Sequence, residues 1–487
     1  VVKVWRLRYL IATKCEFLLS YAATWLEDGM KLQSIQILRG MAALLVVIYH
    51  IRAMEILAIG KNGLQELPLL NGFISNGYAG VDLFFVISGF IMVYVTEGMK
   101  PGIRSSLDFL FARVTRIYPL WWIFAGVMTL MFFVYNDFGL GEGWQHVSQG
   151  EPLIPYLIKS FLLVPQNAHP VLGVGWTLVH EIYFYVAFTF LLLLPRRTWL
   201  WVLLAWGGAI AGGTLIGFTE PFGADYRALI FYPMTMEFIM GAVVGLLVSS
   251  GITWRSGAVT MVAVLWMMAS LGLQGIDDAD LMMWGRVFWF GLPCTLLVYG
   301  FATLELRRRQ AWLIPAGAGA VVAGLIGFGY NLLDTAPWGA RSAATLMSII
   351  VGGMAMAAVF WGGWLGGQAM PARIRAMKPG LLRIYRGLAR VGDWSFSLYL
   401  CHPILLAPIR LGFAELAKIP VLAPIFQTGH AGPLDNIVLY IVALTTCLIV
   451  AALTYRFIER PMIVGFAKAR AAIFRRERPK PLGQVAP

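Results

Sequence analysis

The chain has 487 residues, of which 59% are hydrophobic and only 13% charged, with a formal net charge of +13 and a mean hydropathy of +0.73. A soluble domain carries about 45–50% apolar and about 25% charged residues, so this composition excludes a soluble globular protein and points to an integral membrane protein. The basic excess falls on alternate loops, which makes it a topology signal and sets aside a nucleic-acid partner.

Runs of about 17 to 25 mainly apolar residues are long enough to cross the hydrocarbon core as helix. Twelve such runs follow one another, near 36–55, 79–97, 117–135, 176–194, 199–217, 228–248, 258–274, 283–303, 311–329, 342–365, 394–411 and 437–458. Pro403 and Pro408 interrupt the eleventh. The predicted fold is all-α, a polytopic membrane helical bundle of ten to twelve transmembrane helices with no soluble domain. Residues 1–33 read as a weakly ordered N-terminal cytoplasmic extension, 34–460 as the transmembrane domain and 461–487 as a basic cytoplasmic tail. Met30 looks like a natural start, and the stretch before it lacks the apolar core and cleavage site of a signal peptide. Cys15, Cys294, Cys401 and Cys447 have neither metal nor redox spacing, so no disulfide framework and no metal site are expected.

Lysine and arginine mark cytoplasmic loops, which tests the span count independently of hydropathy. With the first span running outward, the inner segments hold Lys3, Arg6, Arg8, Lys14 and Lys31, then Lys100 and Arg104, Arg196 and Arg197, Arg255, Arg307 to Arg309, and the basic stretch from Arg373 to Arg390. The outer segments hold little beyond Lys61, Lys159, Arg227, Arg341 and Lys418. This pattern predicts an even number of spans with both termini cytoplasmic, the basic tail facing an anionic leaflet.

An ionisable side chain inside a bilayer calls for a partner, a cavity or a function. In the first span, Arg39 and His50 are eleven residues apart, which returns a helix to within about 20° of the same face after a rise of roughly 16 Å. They are expected to look down one groove from different depths; the alternative is a snorkelling arginine and a separately bonded histidine. The second span carries Asp82, with Ser88 and Gly89 at mid-depth. Arg113 and Arg116, three residues apart before the third span, share a helix side and with Arg39 form a candidate phosphate clamp, or else an ordinary basic flank. The fourth span puts His180 and Glu181 among Trp176, Tyr183 and Tyr185, aromatics that suit either an interface belt or a sugar-stacking surface. His50, Asp82 and Glu181 all fall in the outer half by this topology. A carboxylate beside an imidazole raises its basicity, as a general base for a hydroxyl requires; the alternative for each acid is a structural hydrogen bond. Two polar layers emerge, separated by about the length of the pantetheine arm of coenzyme A.

The stretches "LRGMAALLVVIYH", "GYAGVDLFFVISGFIM", "FARVTRIYPLWW", "GWTLVHEIYFYV", "WSFSLYLCHPI" and "FIERP" occur in an order that resembles the membrane acyltransferase 3 family from Met30 onward, especially its exopolysaccharide O-acetyltransferase-like branch. The resemblance implies transfer of an acyl group, most commonly acetyl, from cytoplasmic acyl-CoA to a hydroxyl of an exopolysaccharide, another surface glycan or its lipid-linked precursor. It matches Arg39 and His50 to the family's basic residue and histidine, Arg113 and Arg116 to its functional arginines, Glu181 to its glutamate and His402 to a recurrent late position. Many members have about ten spans, and some append an extracytoplasmic hydrolase-like domain that is not seen here.

The favoured reading is thus an O-acyltransferase. Arg39, Arg113 and Arg116 hold the donor's head, and His50, assisted by Glu181 or Asp82, is catalytic. Trp176, Tyr183, Ser88 and His402 line the substrate path. Direct attack and a transient acyl-histidine are both compatible with these residues. The expected partners are the glycan acceptor, the lipid bilayer and polysaccharide-synthesis machinery. The alternative is a proton-coupled secondary transporter using the intramembrane His, Asp and Glu.

Overall fold

The computed structural model describes residues 32–63, 76–135, 147–219, 226–273, 284–306, 379–429 and 434–474. These residues are helical and connecting, with no strand among them. Nine of their helices are long and apolar enough to cross a membrane: α1 (Gln33–Lys61), α2 (Gly77–Val95), α3 (Ile103–Val134), α5 (Gly173–Leu191), α6 (Arg196–Leu215), α7 (Tyr226–Ser249), α9 (Trp284–Leu306), α11 (Ser395–Leu416) and α12 (Leu434–Phe474). Between them lie a short apolar helix α4 (Leu153–Leu162), an apolar helix α8 (Ser256–Leu273) that matches the seventh predicted span, and α10 (Pro379–Asp393). The predicted spans at 311–329 and 342–365, and Cys15, lie outside the described residues. Large apolar side chains such as Leu130, Phe190, Leu204 and Ile441 point outward, as a lipid-facing surface requires.

The helices alternate in direction. At the end where α1 begins, Gln33 N–H donates to Glu305 of α9, Gly102 N–H to the Leu192 carbonyl and Arg196 to Ser249. At the other end Asn62 reaches the Thr428 carbonyl and Asn76 the Leu271 carbonyl. Lys100, Arg104, Arg196, Arg197 and Arg255 all fall on the α1-start end, as does α10, whose Tyr385 and Ala389 pack on Ile37 while Arg383, Arg386 and Arg390 are exposed.

Small residues set the closest approach in the core. A Cβ added to Gly89 of α2 would lie 2.0 Å from the Phe238 carbonyl oxygen of α7, and one on Gly241 would lie 2.0 Å from the Val86 carbonyl oxygen. The two backbones are therefore in direct contact, and Ser88, next to Gly89, is held at a defined depth.

Two boundaries differ from expectation. The third helix starts at Ile103, so Arg113, Arg116 and Pro119 lie inside it rather than at its entrance. Pro119 removes one N–H from the ladder without ending the helix, and a charged first half had hidden that continuation from hydropathy. Residues 461–474 of the predicted tail continue α12 as helix past a π-turn at Tyr455–Glu459, and Arg470 pairs with Asp108 of α3 across 2.5 Å.

Candidate active site

A cavity of about 150 Å³ opens among α1, α2, α3, α5 and α11. Arg39, Arg113 and Arg116 surround one part of it, toward the α1-start end, and Val81 and Thr177 close the other. Its wall on α2 runs from Met92 to Val81, eleven residues or ~16 Å of helix rise. The three arginines predicted to act together are thus brought to one space from two helices. Arg116 Nη1 is 2.8 Å from Glu459 Oε1, and Ser397 donates to the other oxygen of that carboxylate. Arg113 lies over the rings of Phe109 (5.5 Å) and Tyr185 (6.0 Å), with its buried Nε unpartnered. Arg39 donates to Gln36.

Glu181 also lines this cavity, accepting hydrogen bonds from Ser88 (2.9 Å) and from the Tyr185 hydroxyl. Thr177, Glu181 and Tyr185 follow one another at four-residue spacing and form the stripe of α5 that faces the cavity. Ser88 lines the cavity. Its partner in sequence, Gly89, is what lets α7 press α2 into that position.

His50 is not among the lining residues. Its ring centroid is 4.9 Å from that of His402 on α11, a buried residue whose Nε2 has no hydrogen-bond partner. His50 Nδ1 is 2.7 Å from the Val46 carbonyl oxygen, and His402 Nδ1 is 3.1 Å from that of Leu398. A carbonyl can only accept, so hydrogen-bond logic assigns the proton of each neutral ring to Nδ1 and leaves each Nε2 as a base. Between this pair and the cavity stands Tyr399, 6.0 Å ring to ring from His402. Its hydroxyl donates to the Val174 carbonyl and pairs with Thr177 at 2.8 Å. Arg39 lines the cavity and His50 does not, which corrects the expectation that they look into one groove: periodicity aligned them on one face of α1, but α11 sets His402 against His50 and Tyr399 between that pair and the cavity.

Asp82 requires a second correction. It accepts both bonds of a fork from Arg286 (2.8 and 2.9 Å), in a fully buried cluster with Glu237 beside it, and it reaches neither His50 nor the cavity. Tyr183 packs against Trp206 rather than lining the space. Trp176 and His180 line a different cavity of about 120 Å³, together with residues 164–170, on the far side of the first turns of α5. Glu181 and His180, adjacent in sequence, thus face separate spaces.

Sequence reasoning missed Arg286, Glu237 and Glu459. The first two were legible as charges inside predicted spans, and the third sits in "FIERP". What could not be read is the pairing, since Asp82 and Arg286 are separated by 204 residues. A π-turn at Val287–Gly291 follows Arg286 directly, and such turns recur where a helix must aim a side chain.

Comparison with known proteins bears on this arrangement. A family profile described as an acyltransferase domain (Acyl_transf_3) matches residues 32–323. The exopolysaccharide production protein ExoZ of Rhizobium meliloti (strain 1021) is 29% identical over 243 residues, covering 47% of this chain and 68% of that protein. The acyltransferase MdmB of Streptomyces mycarofaciens is 24% identical over 363 residues, covering 66% of this chain and 89% of its own. No solved structure is matched.

Proposed function

The chain belongs to the acyltransferase 3 family and is an acyl-transferring enzyme; from that premise we propose that it moves an acyl group, acetyl foremost, from acyl-CoA to a hydroxyl of an exopolysaccharide or its lipid-linked precursor. The observation that carries this reading is the convergence of Arg39, Arg113 and Arg116 on one deep cavity. Guanidinium groups suit phosphate oxygens by charge and by fork geometry, and the buried, unpartnered Arg113 Nε is a donor in want of an acceptor. A nucleotide head at the arginines would send its pantetheine arm along the α2 wall toward Thr177 and Tyr399.

The acceptor hydroxyl meets His50 from the other end of the bundle. His50 Nε2 takes its proton as the oxygen attacks the thioester carbonyl; the carbon–sulfur bond breaks, and the departing thiolate recovers the proton from the imidazolium. For donor and acceptor to meet, the contact between Tyr399 and Thr177 must open, which makes that pair the partition of the reaction path. Glu181, held by Ser88 and Tyr185 within electrostatic reach of Arg39 and Arg113, orients the arginines that grip the donor and is a positioning residue. His402 sets the orientation of His50. In this reading the membrane is the bacterial inner membrane, with the arginine end cytoplasmic, in keeping with the basic loops at that end. The family match and the pairing of Asp82 with Arg286 favour acyl transfer over the transporter reading.

The test is transfer of label from [¹⁴C]acetyl-CoA to de-esterified host polysaccharide in membranes, together with acetyl-CoA binding to purified protein. Saturable binding and transfer, with loss of one ester signal in proton NMR of polymer from cells lacking the protein, are expected. Absence of binding by folded protein, or unchanged esters, overturns the reading.

A further inference from the structure

The 120 Å³ cavity behind α5 has features that packing alone does not call for. Its walls include Gln166, Asn167, His169, Trp176 and His180, and none of the residues lining it carries a fixed charge. Burial holds His169, in the connection before α5, below its ordinary pKa and so favours its uncharged form. Two polar atoms in the wall are buried without a partner, Gln166 Oε1 and His180 Nδ1, on residues 8% and 5% exposed.

The Gln166 amide is locked. Its Nε2 donates to Ser160 Oγ (3.2 Å), and the same oxygen accepts from the Val171 N–H (3.1 Å). A hydroxyl both donates and accepts, so either orientation of the amide keeps the Ser160 bond and leaves the other amide atom, here Oε1, unpartnered in the wall. The His180 ring is fixed as well, stacked on Tyr232 (4.7 Å) and edge-on to Trp176 (5.8 Å). Tyr156 steadies the surrounding loop by donating to the His169 carbonyl. Rigid, unsatisfied polar atoms beside an indole in an uncharged recess match a ligand that offers hydroxyl donors and an apolar ring face without charge.

We propose that this second cavity is a binding subsite for an uncharged sugar residue of the acceptor glycan, a proposal that rests on the acyl-transfer reading above. Gln166 Oε1 accepts from a sugar hydroxyl, His180 Nδ1 bonds a second one, and Trp176 covers the ring. The absence of fixed charge in its lining separates it from the arginine cavity, so a phosphorylated donor has no reason to enter. One helix thickness, ~10 Å, lies between the two spaces. The subsite therefore holds a sugar next to the one being acylated and fixes the register of the polymer.

The experiment uses the full-length protein in detergent and two titrations, with acetyl-CoA and with neutral oligosaccharides released from the de-esterified host polysaccharide, followed by transfer kinetics in membranes. Gln166→Leu removes the acceptor atom, and Val179→Phe fills the recess. Both are expected to raise the acceptor KM and the oligosaccharide Kd about tenfold or more while the acetyl-CoA Kd stays within twofold, which also shows that the variants fold. Acceptor KM and oligosaccharide Kd within twofold of wild type in both variants would overturn the subsite and leave a hydrated structural cavity. If wild-type protein binds no acetyl-CoA, the acyl-transfer reading fails separately, and the oligosaccharide titration of the two variants still decides the cavity.

Discussion

Two cavities share the first turns of α5 as a wall, and they differ in almost every physical respect. One is lined by three arginines and a glutamate and opens where the basic loops gather. The other is lined by amides, imidazoles and an indole, with no fixed charge, near the opposite end. Glu181 and His180 are consecutive yet belong to different spaces, because a helix turns about 100° per residue. In the proposed reading the contrast keeps a charged donor and a neutral acceptor apart: each space is suited to one of them and poor for the other.

The sharpest way to break this division is His50→Ala. Transfer is expected to fall by about 10²–10⁴, the usual worth of a general base, while acetyl-CoA binding stays within a few-fold. Equal loss of both in a titration and a transfer assay would return His50 to a structural role. Next comes Asp82→Asn, which leaves Arg286 as a buried, poorly compensated charge and should cost about 3–5 kcal/mol of stability. A thermal-shift assay should show the drop, with the acetyl-CoA KM of the remaining folded protein unchanged. A selective change in that KM instead would tie the buried cluster to the donor.

Arg116→Ala sharpens the comparison from the charged side. Loss of one charge-assisted contact is worth about 1.5–3 kcal/mol, so acetyl-CoA should bind some 10- to 150-fold more weakly while oligosaccharide binding holds. Because Arg116 is also paired with Glu459, Arg116→Lys should recover part of the loss and not all, since lysine lacks the fork. The smallest effect is expected for Ser88→Ala. It removes one of two hydrogen bonds to Glu181 and should lower kcat about 3- to 10-fold, roughly the worth of a single hydrogen bond, with little change in acceptor KM.

Much of the arginine-lined cavity is legible in the sequence. Arg113 and Arg116 share a side because three residues are nearly one turn, and Glu181 and Ser88 stood out as polar groups in apolar helices. The histidine pair was half legible: both residues were named, but nothing in sequence joins α1 to α11. Asp82 was misread because its partner lies two hundred residues on, and local spacing cannot report a contact between distant helices. Tyr183 and Trp176 were grouped by proximity in the chain, whereas helical rotation sends them to different neighbours.

Composition, the lengths of the apolar runs and the alternation of basic loops pointed to a membrane bundle and to the polar residues to be explained, because these follow from transfer energies and helix geometry that act along the chain, while the family was carried by the order of six short stretches. Only the tertiary structure decided which of those residues meet. Contact of Gly89 with Phe238 and of Gly241 with Val86 sets the depth of Ser88, Arg286 claims Asp82, and Tyr399 stands between the arginines and His50. These are choices among helix neighbours, made by close packing and by the cost of leaving a buried charge unpaired, and no period within a single helix carries them.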